Sequence, residues 1–199
     1  MALPRESETG RRSRISPERE AELYAAVVEL LREVGYEAMT MDAVAARTRC
    51  GKATLYRQWR GKPQLVASAL RQQKASVLDN VDTGSLRGDL HELVRRLSVD
   101  AVAITETLVA LAHAIGGDRD LHQALLQSIV APENELMTTV LGRAVARGEM
   151  PVNAPAAALL PQLMIGALVA LPVTQGRVAD LDYLTTFVDV IVLPALVAR

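Results

Sequence analysis

Aromatic residues are scarce: four Tyr, one Trp and one Phe in 199 residues. Cysteine is scarcer still, and a lone Cys50 excludes an internal disulfide framework and fits a reducing compartment. The first fourteen residues, MALPRESETGRRSR, contain no apolar stretch of the signal-peptide kind. No run reaches the ~18 uninterrupted apolar residues of a membrane span. The longest candidate, Ala154 to Val173, is interrupted by Pro155, Pro161, Gln162 and Pro172 and reads as a buried or interface helix. These absences point to a protein of the cytoplasm with no membrane partner. His91, His113 and His122 have no Cys or His at ligand spacing, so neither a metal nor another cofactor is expected. An enzyme would need a nucleophile–base pair, a metal set or a glycine-rich phosphate loop, and none is legible.

Half of the residues are hydrophobic. That apolar mass is mainly Ala, Leu and Val with little strand-type patterning, and Ala and Leu are strong helix formers. An all-α fold follows. The formal net charge of −1 hides a division. Residues 1–74 carry 14 Lys/Arg against 9 Asp/Glu, a net of +5, and residues 75–199 carry 8 against 14, a net of −6. A basic end on an acidic body suits a chain that meets a polyanion at one end only.

Along the chain, residues 1–14 read as a disordered basic arm carrying Arg11, Arg12 and Arg14. Ser16 and Pro17 then provide an N-cap and a first helical position. Leu23, Ala26, Val27, Leu30, Leu31 and Val34 recur every three or four residues until Gly35 stops a helix over about 17–34. Thr40 caps a short second helix over about 41–47, with Met39 and Val44 placed as a hydrophobic staple. A tight connection, Thr48-Arg49-Cys50-Gly51, leads into a third helix over about 52–58, and Lys62 opens a fourth reaching about Val77. The polar stretch from Asp79 to Gly88 marks a boundary between residues 15–78 and residues 79–199. Helices over about 86–104, 105–115, 119–130, 132–147, 155–173 and 180–197 follow, punctuated by glycines and prolines.

Two short helices joined by a tight turn behind a longer support helix make a helix-turn-helix. The second of them, Lys52-Ala53-Thr54-Leu55-Tyr56-Arg57-Gln58-Trp59, offers a cation, a hydroxyl, a phenol, a guanidinium and an amide. Such groups read base edges and phosphates in a major groove. Trp59 is assigned to the core, Tyr56 to a packed ring with its hydroxyl outward, and Cys50 to an inert, packed position.

At these residues the sequence resembles the tetracycline-repressor (TetR) family. The stretch Gly35 to Ala46 is similar to the end of its first helix and its second helix. Lys52 to Trp59, followed by Lys62 and Leu65, is similar to its recognition helix and the start of its fourth. The resemblance implies a DNA-facing set of Thr40, Lys52, Ala53, Thr54, Tyr56, Arg57 and Lys62. Thr40 and Lys62 would meet phosphates, Tyr56 the DNA backbone, and Lys52, Thr54 and Arg57 bases or nearby phosphates, while Val44 and Leu55 would be core. Two departures stand out. Arg49 occupies a turn position where the family usually has glycine, so the backbone there is expected to be strained. Gly51 replaces the usual serine cap of the third helix.

The resemblance also implies a homodimer built on the last two helices, with Leu160, Leu163, Ala167, Leu171, Leu184, Phe187, Val188 and Ile191 at the interface. A small, largely apolar effector would bind among the middle helices, lined by Leu93, Leu97, Ala101, Thr105, Leu108, His113, Leu126 and Met137. The function implied is a transcriptional repressor released from a palindromic double-stranded DNA operator. The rival reading is a helical adaptor for other proteins, which leaves the cationic cluster from Lys52 to Lys62 without a purpose.

Overall fold

The computed structural model describes residues 15–78 and 80–198, so Arg11, Arg12 and Arg14 lie outside the described residues. All regular structure among the described residues is helical. Helix α1 spans Pro17–Ala38, capped by the Ser16 hydroxyl, which accepts from the Arg19 amide. It breaks at Gly35, whose φ of +75° and ψ of 165° suit glycine alone, so the regular helix ends where the sequence predicts. Helices α2 (Met41–Thr48) and α3 (Lys52–Trp59) form the helix-turn-helix, and α4 (Lys62–Leu78) leads away from it.

Helices α5 (Leu86–Val99) and α6 (Ala101–Gly117) meet at Asp100 and diverge by 78°. The break was expected at 104/105, where periodicity alone gave no punctuation. The chain instead turns at Asp100, the polar residue before an apolar run. Helix α7 (Arg119–Leu125), a π turn (Leu126–Val130) and α8 (Ala131–Ala146) run on continuously, although Pro132 was expected to divide them. Proline lacks an N–H and crowds the carbonyl four residues back, and the wider π turn relieves both. The same device recurs before Pro194, where α10 (Leu181–Phe187), a π turn (Val188–Val192) and α11 (Leu193–Val197) form the last rod. Before it stands α9 (Leu160–Gln175), entered through a 3-10 turn, Pro155–Leu159.

Two apolar cores organise these helices. The first joins α1–α4 through Leu23, Val27, Leu31, Val44, Leu55, Trp59 and Leu65, and it extends across the expected boundary to Leu111 and Ala114 of α6 and Leu121 and Leu125 of α7. The second holds Leu86, Leu90, Leu93 and Val94 of α5 against Leu160, Leu168, Leu184, Val188 and Leu196. The α1–α4 head is therefore seated directly on the α6–α7 corner. By length and mean hydropathy alone Pro155–Gln175 would cross a membrane. One face of α9 is instead consumed by the second core through Leu160, Ala167, Leu168 and Leu171.

Candidate nucleic-acid interface

The recognition helix is held from its inner side. Leu55 is fully buried, and Trp59 is buried with its indole N–H donating to the Tyr24 hydroxyl at 3.0 Å. The two rings meet edge to face with centroids 5.7 Å apart, and the Tyr24 hydroxyl donates onward to Glu20 Oε1 at 2.9 Å. Trp59 is thus core, as the sequence predicts. These anchors fix the outward register. Lys52, Ala53, Tyr56, Arg57 and Gln58 face solvent, while Thr54 is half-buried and not the fully open reader that was expected.

The turn before α3 closes as a Schellman motif. The Cys50 amide donates to the Ala45 carbonyl at 3.1 Å and the Arg49 amide to the Ala46 carbonyl at 3.4 Å. Arg49 takes the left-handed position with φ 50° and ψ 36°, the strain that its replacement of glycine predicts. Arg19 of α1 donates to the Thr48 carbonyl and so braces the turn from behind. Cys50 packs half-buried against the first core. Gly51 provides no side-chain cap for α3, so the amides of its first turn stay open to an anion. Thr40 caps α2 by accepting from the Ala43 amide at 3.1 Å, which leaves its hydroxyl proton free to donate.

The cations of the head differ in how they are held. Lys52 pairs with Asp42 at 2.8 Å, and that hydrogen bond raises its pKa. Arg47 pairs with Glu33 at 2.5 Å. Exposed pairs of this kind contribute about 0–1 kcal/mol, so a phosphate can replace the carboxylate at little cost. Lys62 donates to the Tyr36 carbonyl at 2.9 Å and lies 4.0 Å over the centre of the Tyr36 ring. Burial there lowers its pKa, and an ammonium has two further protons to offer a phosphate. Arg49, Arg57 and Arg60 have no ion-pair partner among the described residues. Arg60 closes α3 in the left-handed region at φ 62°, a position that sequence reasoning missed because no pattern marks it.

With this geometry in view, the comparisons decide the family. Residues 23–69 match bacterial regulatory proteins of the tetR family, and residues 80–191 match the tetracyclin repressor-like C-terminal domain. The chain belongs to the TetR family. It is 33% identical over 178 residues to the HTH-type transcriptional regulator Rv1556 of Mycobacterium tuberculosis (strain ATCC 25618 / H37Rv), covering 89% of this chain and 88% of the relative. It is 37% identical over 137 residues to the DNA-binding transcriptional repressor TetR of Mycobacteroides abscessus, covering 68% of this chain and 72% of that one. The crystal structure of the TetR family transcription regulator SCO0332 superposes with a TM-score of 0.69 at 27% identity, covering 89% of this chain and 98% of that one. This TetR-family chain is a DNA-binding transcriptional regulator, and regulators of the family act as dimers with small-molecule effectors.

The other expected site residues divide. Leu93, Leu97, Ala101 and Thr105 are buried, and Leu108 and Met137 pack half-buried against the second core. The Thr105 hydroxyl has no hydrogen-bond partner among the described residues. His113 does not join them: its side chain is 92% exposed and lies 3.5 Å from Glu37. The register of α6 carries it about 80° round from Thr105 on the helix circumference. Leu126 is also exposed: at about 100° per residue it lies well round the helix from the buried Leu121 and Leu125.

The expected dimer residues sit mostly on the inner faces of their helices. Leu160, Ala167, Leu171, Leu184 and Val188 belong to the protomer's own core, Leu163 and Phe187 are half-buried, and Ile191 is exposed. The correction has a simple cause. A helix that is apolar on all sides gives no periodic cue to which face turns inward. The faces left open carry Leu159, Ile165, Gly166, Ala170 and Val173 on one helix and Val190, Pro194 and Val197 on the other.

Proposed function

We propose that this chain is a dimeric transcriptional repressor that leaves a palindromic operator when a small, largely apolar effector enters its larger domain. The observation that carries the reading is the outward recognition helix. Leu55 and Trp59 lock one side of it, and Lys52, Ala53, Tyr56 and Arg57 stand free on the other. Residues 15–78 are the DNA-binding unit and residues 79–199 the effector and dimer unit. The repressor function named for the Mycobacteroides abscessus relative supports repression here. A two-fold pair of such helices about 34–36 Å apart fits two half-sites one turn apart.

The dimer seam is the open apolar face of α9 with that of the α10–α11 rod, which continues the helices named by the family resemblance but uses their outer residues. For the effector, Thr105 supplies a buried hydroxyl in want of a partner among Leu93, Leu97, Ala101, Leu108 and Met137. An unmet buried hydroxyl is costly, and a ligand carbonyl or hydroxyl would satisfy it. Only an effector with different affinities for the two orientations of the head can shift their balance. The protein works in the cytoplasm, with its DNA.

The test is selection of bound fragments from the source genome by the purified chain, followed by footprinting. Arg57→Ala should then weaken the selected duplex by about 1–3 kcal/mol and relax preference at one base position, with folding and dimerisation intact. A purified chain that retains no fragment in dilute salt refutes the reading.

A further inference from the structure

We propose that Asp118, at the corner of α6 and α7, is a positioning residue for the DNA-reading face, acting through Tyr36 on Lys62 and the start of α4. The proposal deepens the functional reading above and rests on it. Its basis is a chain of contacts that joins two parts of the molecule far apart in sequence.

Gly35 breaks α1, so the Tyr36 carbonyl leaves the helical ladder and is free to accept from Lys62 at 2.9 Å. The buried Tyr36 ring lies under the same ammonium at 4.0 Å. Its hydroxyl extends the other way and donates to Asp118 Oδ2 at 2.8 Å. The second carboxylate oxygen, Oδ1, accepts the Leu121 amide at 2.9 Å and caps α7. One carboxylate therefore holds the first turn of α7 with one oxygen and the head with the other. These two bonds lower the Asp118 pKa, the Leu121 amide first, and the carboxylate in turn favours the charged form of Lys62 against its desolvation.

A second strap runs parallel. Arg32 of α1 donates to the Thr107 hydroxyl of α6 at 3.2 Å and to Gln73 of α4 at 3.4 Å. Thr107 and Thr105 are two residues apart and so point to different sides of α6, one toward the head and one toward the interior. A shift of α6 must therefore carry its C-terminal end, and Asp118 with it. A hydrogen bond of 2.8 Å cannot stretch far before it is lost, so the corner and the head move together or separate. Lys62, at the other end of the chain of contacts, is the lysine placed to meet a phosphate.

The experiment measures affinity of the intact protein for the genome-selected duplex across a salt series. Tyr36→Phe removes only the hydroxyl and keeps the ring and the carbonyl under Lys62. It should weaken binding about five- to tenfold with the slope of log K against log salt unchanged, since no phosphate contact is lost. Asp118→Ala should do the same, and the double variant should be no weaker than the weaker single. Lys62→Met should weaken binding and reduce that slope by about one. Asp118→Asn, which keeps an oxygen for the Leu121 amide and an amide facing the phenol, should restore binding to within about threefold of the parent. Should Asp118→Ala fail to fold for want of its cap, Tyr36→Phe and Asp118→Asn decide. Tyr36→Phe binding within twofold of the parent overturns the proposal, and so do losses that multiply in the double variant. If Lys62→Met lowers the slope while Tyr36→Phe does nothing, the functional reading stands and this inference falls. A parent that binds no duplex overturns both.

Discussion

Replacing Arg49 by glycine should make the protein more stable, which is unusual for removing a large side chain. Arg49 closes α2 at φ 50° and ψ 36°. A residue with a Cβ in the left-handed helical region is disfavoured by about 1–2 kcal/mol. Glycine relieves that, but it also gives the unfolded chain more freedom, which offsets about 0.5–1 kcal/mol. The mid-range difference is a net gain of about 0.75 kcal/mol, since the Arg49 side chain is exposed and has no ion pair among the described residues to lose. For a chain of this size 1 kcal/mol shifts the midpoint by about 2–4 °C, so Arg49→Gly should raise Tm by about 1–4 °C. The assay is thermal unfolding followed by circular dichroism at matched protein concentration, since a dimer's midpoint depends on concentration. An unchanged or lower midpoint refutes the reasoning. It would mean that the guanidinium contributes at least as much as the backbone strain costs.

Gly35→Ala is the converse case. A Cβ at Gly35 would meet nothing within 4 Å, so any loss must come from the +75° φ, and unfolding should cost about 1–3 kcal/mol less in denaturant titrations. A change under about 0.5 kcal/mol would show that the break in α1 is not pinned by glycine. Acid should weaken the link between head and body. Asp118 is held below its ordinary pKa of 3.8, so its contribution is fully present above that value and is lost as the pH falls through the lower folded-state value. Urea midpoints measured from about pH 5 to about pH 2.5 should fall less steeply for Asp118→Ala than for the parent. Identical slopes would remove Asp118 from the account.

The DNA-reading head was legible in the sequence because each of its features is local. Ser16 and Thr40 are caps with hydroxyls at the right spacing, Met39 and Val44 flank α2 as a staple, and Arg49 interrupts a glycine position; each takes its expected place. What escaped was whatever depends on partners remote in sequence or on helix continuity. Pro132 reads as a break between two helices but sits within one rod, just after a π turn that admits it. The Tyr36–Asp118 bond spans 82 positions and leaves no trace in either segment alone. His113 and Leu126 face outward because they lie about 80° from Thr105 on α6 and about 100° from Leu125 on its helix, offsets that a list of apolar neighbours does not register.

The proposed dimer seam follows from which face of α9 the protomer's own core leaves open. Successive residues on α9 advance by ~100° around the axis, so Leu160, Ala167, Leu168 and Leu171 lie on one side and Ile165, Gly166, Ala170 and Val173 on the other. The first side is apolar and buried; the second is apolar apart from Gln162 and is open to water, with Val173 74% exposed and Ile165 50% exposed. Gly166 and Ala170 at its centre would let a partner helix approach closely. Contiguous exposed apolar surface of this kind suits an association site. Val173→Glu places a carboxylate where two such faces would meet, and desolvating an unpaired charge is costly. It should convert dimer to monomer at micromolar concentration in sedimentation velocity, and Val190→Glu on the neighbouring rod should act likewise. Helical content should survive in both, because neither side chain belongs to the second core. A dimer that withstands both substitutions would place the seam elsewhere. It would also leave this apolar face, whose inner counterpart is already spent on the protomer's own core, without a physical explanation.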